Sequence, residues 1–154
     1  MWEHLQRFRD LDSAARGLFL RASVLLPLIS WSLRLRGCAA THALLSRFLP
    51  FADGKDRQTR DHAARVAQTV RMVRAAAHYG FGRRTCLQKS LTLWWLLRRQ
   101  GISSNLRLGA RKTGDKFEAH AWIEYNGTAL DDGDEPAKQY AVFDGAFSPH
   151  PPTA

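Results

Sequence analysis

The run Arg83 to Gly101 is followed at once by a change of hydrophobic period, and that pairing limits the folds open to this chain. Leu87, Leu91, Trp94, Trp95 and Leu97 form an apolar band too wide for a lone surface helix, so the helix belongs in a core. Thr85 is a suitable N-cap, because its hydroxyl can accept from first-turn amides. Gly101 is a suitable stop, able to take a left-handed conformation. Arg98 and Arg99 sit where the negative end of the helix dipole favours cations. Beyond Gly101 the period drops from 3.6 to 2. Leu106, Leu108 and Ala110 alternate with polar or small residues, which predicts a strand over 105–110. Phe117 to Tyr125 predicts a second strand, with Glu118, His120, Trp122 and Glu124 on one face and Phe117, Ala119, Ala121, Ile123 and Tyr125 on the other. Asn126-Gly127 is a strong hairpin signal, and Thr128 to Asp132 returns as a third strand. Tyr140 to Asp144 is read as an edge strand or an irregular segment. The fold class is α+β: a helical N-terminal region, then a core in which the cysteine-bearing helix packs on a small antiparallel sheet.

The segments before this are helical. Trp2, Leu5, Phe8 and Leu11 have helical spacing within an Arg-rich stretch, residues 1–16. Leu18 to Leu35 is strongly apolar. Arg21 interrupts it and Pro27 would kink it, and its uninterrupted apolar length is short of the roughly 20 residues of a transmembrane span. A buried helix or helical hairpin is expected there, with peripheral membrane contact as the alternative. Gly37 and Cys38 mark a break before a short helix over 39–51, and 50–56 reads as a loop. Arg57 to Tyr79 is amphipathic, with Ala63, Val66, Ala67, Val70, Val73 and Ala77 on one stripe, and Gly80 stops it. Cys38 and His42 read as structural. The organisation is one domain over 1–154: a helical region at 1–56, a catalytic core at 57–145 and a tail at 146–154.

Two cysteines far apart, with no CxxC, exclude a disulfide scaffold and a structural zinc site and point to a reduced, cytoplasmic setting. No metal or cofactor is called for. The net charge of +9 is uneven: +15 over residues 1–112 and −6 over 113–154. A uniformly basic nucleic-acid binder would not need that split, and no nucleic-acid motif is present.

The chemistry converges on Cys86. It stands at a helix N-terminus beside Arg83 and Arg84, conditions that favour a thiolate. A lone cysteine is more often a small buried hydrophobe. His120 and an aspartate on the following strands change that balance, since a thiol nucleophile needs a base and the base needs an orienting group. A two-residue turn at Asn126-Gly127 sets Asp131 diagonal to His120, whereas a three-residue turn sets Asp132 opposite it; the residues alone leave the two level. Ser90, one turn after Cys86, is a candidate cleft and substrate residue, with helix packing the favoured reading; Trp122, on the His120 face, is read as shielding the site or contacting substrate, with a plain core aromatic as the bland reading. Gln88 is a poor oxyanion donor, lying two residues along the helix.

The segments Thr85-Cys86-Leu87-Gln88-Lys89-Ser90-Leu91 and His120-Ala121-Trp122-Ile123-Glu124-Tyr125-Asn126-Gly127 resemble the Cys and His segments of bacterial transglutaminase-like proteins. The closer resemblance is to the leader peptidases of lasso-peptide biosynthesis, specific over about residues 80–135 and looser over 14–79. It implies a Cys-His-Asp triad that cleaves the leader from a ribosomally made precursor. The family aspartate matches Asp132, which favours the three-residue turn. Residues 1–60 lack the alternating strands of a winged-helix recognition domain, so the resemblance implies the split form, working with a separate leader-recognition protein and upstream of an asparagine-synthetase-like cyclase. Two alternatives are acyl transfer by the same triad, as in transglutaminases or arylamine acetyltransferases, and a non-catalytic basic scaffold for an acidic peptide.

Overall fold

The computed structural model describes residues 12–49, 60–80, 84–130 and 139–143. Among the described residues three helices precede a four-stranded sheet: α1 (Ser13–Arg47), α2 (Arg60–Tyr79), α3 (Cys86–Arg99), β1 (Asn105–Thr113), β2 (Lys116–Tyr125), β3 (Thr128–Ala129) and β4 (Ala141–Val142). The expected elements within 1–11, 50–56, 81–83, 131–138 and 144–154 lie outside the described residues, and both candidate aspartates are among them.

Helix α1 starts at Asp12, whose carboxylate accepts from the Ala15 amide at 2.6 Å. That bond holds the Asp12 carboxyl below its ordinary range. The backbone breaks at Gly37, with φ 76° and ψ −178°, where the sequence marks a break, and it keeps helical φ/ψ through Pro27. Pro27 removes one amide donor, a loss that a long helix can absorb. Gly37 adopts a conformation that is essentially restricted to glycine. Side chains fasten the break. Thr41, fully buried, donates to the Gly37 carbonyl at 2.7 Å, and its hydroxyl shares a 2.9 Å hydrogen bond with that of Ser32.

Ala15, Leu18, Ala22, Leu26 and Ile29 form the buried face of α1, and they join one apolar core with residues from α2, α3, β1 and β2. The helical region and the sheet therefore share a single core. By length and composition α1 would be able to cross a membrane, but this face is taken by protein.

The buried stripe of α2 is rotated from the expected one. Val66, Thr69, Val70, Met72, Val73 and Ala76 are buried, while Ala63 and Ala67 are exposed. Packing against both α1 and α3 selects the face that includes Thr69. That hydroxyl has both of its bonds: it donates to Arg65 O at 2.7 Å and accepts from Gln100 Nε2 at 2.9 Å, so its burial carries no unsatisfied group.

The sheet order is β3-β2-β1-β4, all neighbours antiparallel. Strands β1 and β2 are joined through Gly114-Asp115, with Thr113 facing Lys116 and Gly114 at φ 61°. Tyr125 faces Thr128, and Asn126 and Gly127 have φ of 49° and 77°, the signature of a type I′ turn. The turn therefore has two residues, and the three-residue turn favoured by the family resemblance is corrected. Asn-Gly needs no bulge, because both residues reach positive φ at low cost.

Replacing Gly37 by alanine is expected to cost about 2 kcal/mol, since a Cβ there meets no atom within 4 Å and the penalty is purely one of backbone conformation. In thermal unfolding this should lower Tm by about 4–8 °C. An unchanged Tm would show that the break relaxes.

Candidate active site

Cys86 is the first residue of α3, and the turn around it is held on three sides. Thr85 and Gln88 form a capping box: the Gln88 amide donates to Thr85 Oγ1 at 3.3 Å, and the Thr85 amide donates to Gln88 Oε1 at 3.2 Å. The Gln88 side-chain amide then donates to Ser30 Oγ of α1 at 3.0 Å. Gln88 is thus committed at both ends of its side chain and is no oxyanion donor. The capping box uses the amides of Thr85 and Gln88. Those of Cys86 and Leu87 remain at the positive end of the helix, where a developing anion is stabilised. Cys86 itself is half-buried and stands apart from the hydrophobic core.

Ser90, one turn further along the same face, donates its hydroxyl to the Ala121 carbonyl at 2.9 Å. Ala121 follows His120, so this bond pins the cysteine helix to the histidine strand at the step beside the imidazole. Ser90 is 2% exposed. It anchors the helix to the sheet, the packing role favoured for it from sequence.

His120 is half-buried in β2 and faces Gly109 across the ladder. Its ring lies nearly parallel to that of Trp122, with centroids 6.0 Å apart, and stacks on Tyr140 at 5.2 Å. Trp122 is 1% exposed and forms a wall behind the imidazole. Tyr140, just before β4, was not singled out as a site residue from its sequence position. A lone aromatic after an acidic stretch of sequence carries no periodic signal, and the β1–β4 pairing brings it over Gly109. A Cβ on Gly109 would sit 2.8 Å from Tyr140 Cβ, 3.1 Å from the Ala141 carbonyl and 3.1 Å from Trp122. The missing side chain makes the space in which Tyr140 meets the histidine. Arg111 holds the other side of Tyr140: its guanidinium lies 4.7 Å from the ring centroid, bonds Glu118 at 2.7 Å and donates to Gln139 Oε1 at 2.9 Å.

A family model of the transglutaminase-like superfamily matches residues 25–143. The chain belongs to that superfamily. Its fold is accordingly that of papain-like cysteine peptidases and acyl-transfer enzymes. Comparison with curated proteins and with solved structures gives no significant match. The match begins inside α1, so part of the N-terminal helical region belongs to the superfamily domain.

The other cysteine and a further histidine have structural surroundings. Burial pushes the Cys38 thiol up, away from thiolate. The His42 ring packs 4.4 Å from that of Trp94, and burial, with Arg98 nearby, holds its pKa below the ordinary 6.5. No group of three or more His, Cys, Asp or Glu among the described residues could hold a metal ion.

Two outcomes follow. Gly109→Ala should destabilise by about 1–3 kcal/mol through overpacking and shift the His120 imidazole resonances, whereas Gly17→Ala, with open space at its Cβ, should be neutral or stabilising. Because His42 is held neutral in the fold, the unfolded chain binds its proton first on acidification. Stability should therefore fall as pH drops below 6.5, and His42→Gln should flatten part of that fall in a Tm-against-pH series.

Proposed function

We propose that this chain is a cysteine peptidase that removes the leader from a lasso-peptide precursor. The observation that carries the reading is the anchored first turn of α3, with Cys86 at its start, Ser90 tying it to β2 beside His120, and the chain in the transglutaminase-like superfamily. Cys86 attacks the scissile carbonyl, the C–N bond breaks to leave a thioester, and water then hydrolyses the thioester to free the leader carboxylate and return the thiol. His120 takes the thiol proton and later gives it to the leaving amine, and Asp132 orients the imidazole. The Cys86 amide meets the oxyanion. The Asp132 assignment rests on the family motif alone; the two-residue turn withdraws the register argument for it and, by that same argument, favours Asp131. The setting is cytoplasmic; a separate recognition protein delivers the leader, and an asparagine-synthetase-like cyclase takes the freed core peptide.

The test is incubation with the precursor, with and without the recognition protein, followed by mass spectrometry of the fragments. Wild-type protein should release leader and core with a free carboxylate on the leader. Cys86→Ala should lower cleavage by about 10³-fold or more with unchanged far-UV circular dichroism. A new amide in place of the free carboxylate would assign acyl transfer to the same residues. Full cleavage by Cys86→Ala would remove Cys86 as nucleophile.

A further inference from the structure

Helix α1 has a second apolar face. Leu20, Val24, Leu28, Trp31 and Leu35 are 57–75% exposed. At 3.6 residues per turn they lie within about 80° of arc, opposite the face buried in the core, and extend about 22 Å along the helix. Only 22% of the most apolar stretch of α1 is buried, so the core does not account for its hydrophobicity. The steps between Val24, Leu28, Trp31 and Leu35 are four, three and four residues, the spacing of a two-helix packing seam. Near Leu20 and Val24 the seam opens into a groove of about 460 Å³, whose opposite wall is Trp95 and Arg99 of α3. Arg99 stacks over Trp95, 5.0 Å from its centroid.

The charge beside the seam has one sign. Arg21 lies on one flank and Arg34 on the other, Arg99 stands at the groove mouth, and Ser13–Arg47 contains no Asp or Glu. A second copy of this chain would bring arginines against arginines, a like-charge contact that opposes pairing. A bilayer could meet the same Arg-flanked apolar face, but it offers no side chains to fill the concave slot walled by Trp95 and Arg99. We propose that the seam is a docking site for an acidic amphipathic helix of a partner protein. Its apolar ridge packs along Val24, Leu28, Trp31 and Leu35, and its flanking carboxylates meet Arg21, Arg34 and Arg99. This inference is independent of the catalytic reading.

The probes are two fluorescein-labelled synthetic amphipathic helices with the same leucine seam, one flanked by glutamates and the other by lysines. Fluorescence anisotropy against the full chain should show saturable binding of the acidic helix alone. That affinity should fall at least tenfold in Leu28→Glu and several-fold between low and high salt. In Arg21→Glu/Arg34→Glu the preference should shift to the lysine helix. Leu28 is exposed, so its replacement should leave the fold intact, checked by an unchanged Tm. No saturable binding, equal binding of both helices, or binding indifferent to Leu28→Glu would overturn the proposal. So would a dimer in sedimentation equilibrium, or co-sedimentation with phosphatidylglycerol vesicles, that Leu28→Glu abolishes; the first assigns the seam to a second copy and the second to a bilayer.

Discussion

The Gln88 side chain does two things that the rest of the site depends on. Its carbonyl caps the first turn of α3, and its amide ties that turn to Ser30 of α1. A helix start is ordinarily where a helix frays, because its first amides lack partners. Here the turn carrying Cys86 is held from within by the capping box and from outside by a second helix. Ser90 adds the attachment to β2. A thiol at the mobile end of a helix would sample many positions relative to a base on a separate strand. Side-chain contacts from Thr85, Gln88 and Ser90 restrict that sampling.

The histidine is supported by different means. Ring packing and a missing side chain set its surroundings. Gly109 leaves room for Tyr140, Tyr140 and Trp122 flank the imidazole, and Arg111 braces Tyr140 from above. Aromatic surroundings limit ring rotation while leaving the imidazole edge half-exposed. An orienting aspartate, where the family motif puts it, would then act on a ring whose plane is already set.

Much of this could be read from the residues, for local reasons. Thr85 and Gly101 bracket α3 because caps act within one turn, and Asn126-Gly127 marks a hairpin because few pairs reach two consecutive positive φ values. What escaped was decided by neighbours. The stripe of α2 rotated because Gln100 offers Thr69 a hydrogen bond, which no periodicity reveals. Spacing left Ser90 and Trp122 open between packing and cleft, and both are buried where the helix lies against the strand. Tyr140 reached the histidine through pairing between strands about 30 residues apart in sequence.

Strand β2 is closed at both ends by two-residue turns, Gly114-Asp115 and Asn126-Gly127. Neither has slack. Side chains alternate faces along a strand, so one inserted or deleted residue at either turn would exchange inside for outside along the affected ladder. At the first turn, that exchange would carry His120 away from Gly109 and Tyr140. The strand is therefore indexed like a ratchet with single-residue teeth. Sequences of this fold that keep the same imidazole site should differ in length almost anywhere but at these two corners.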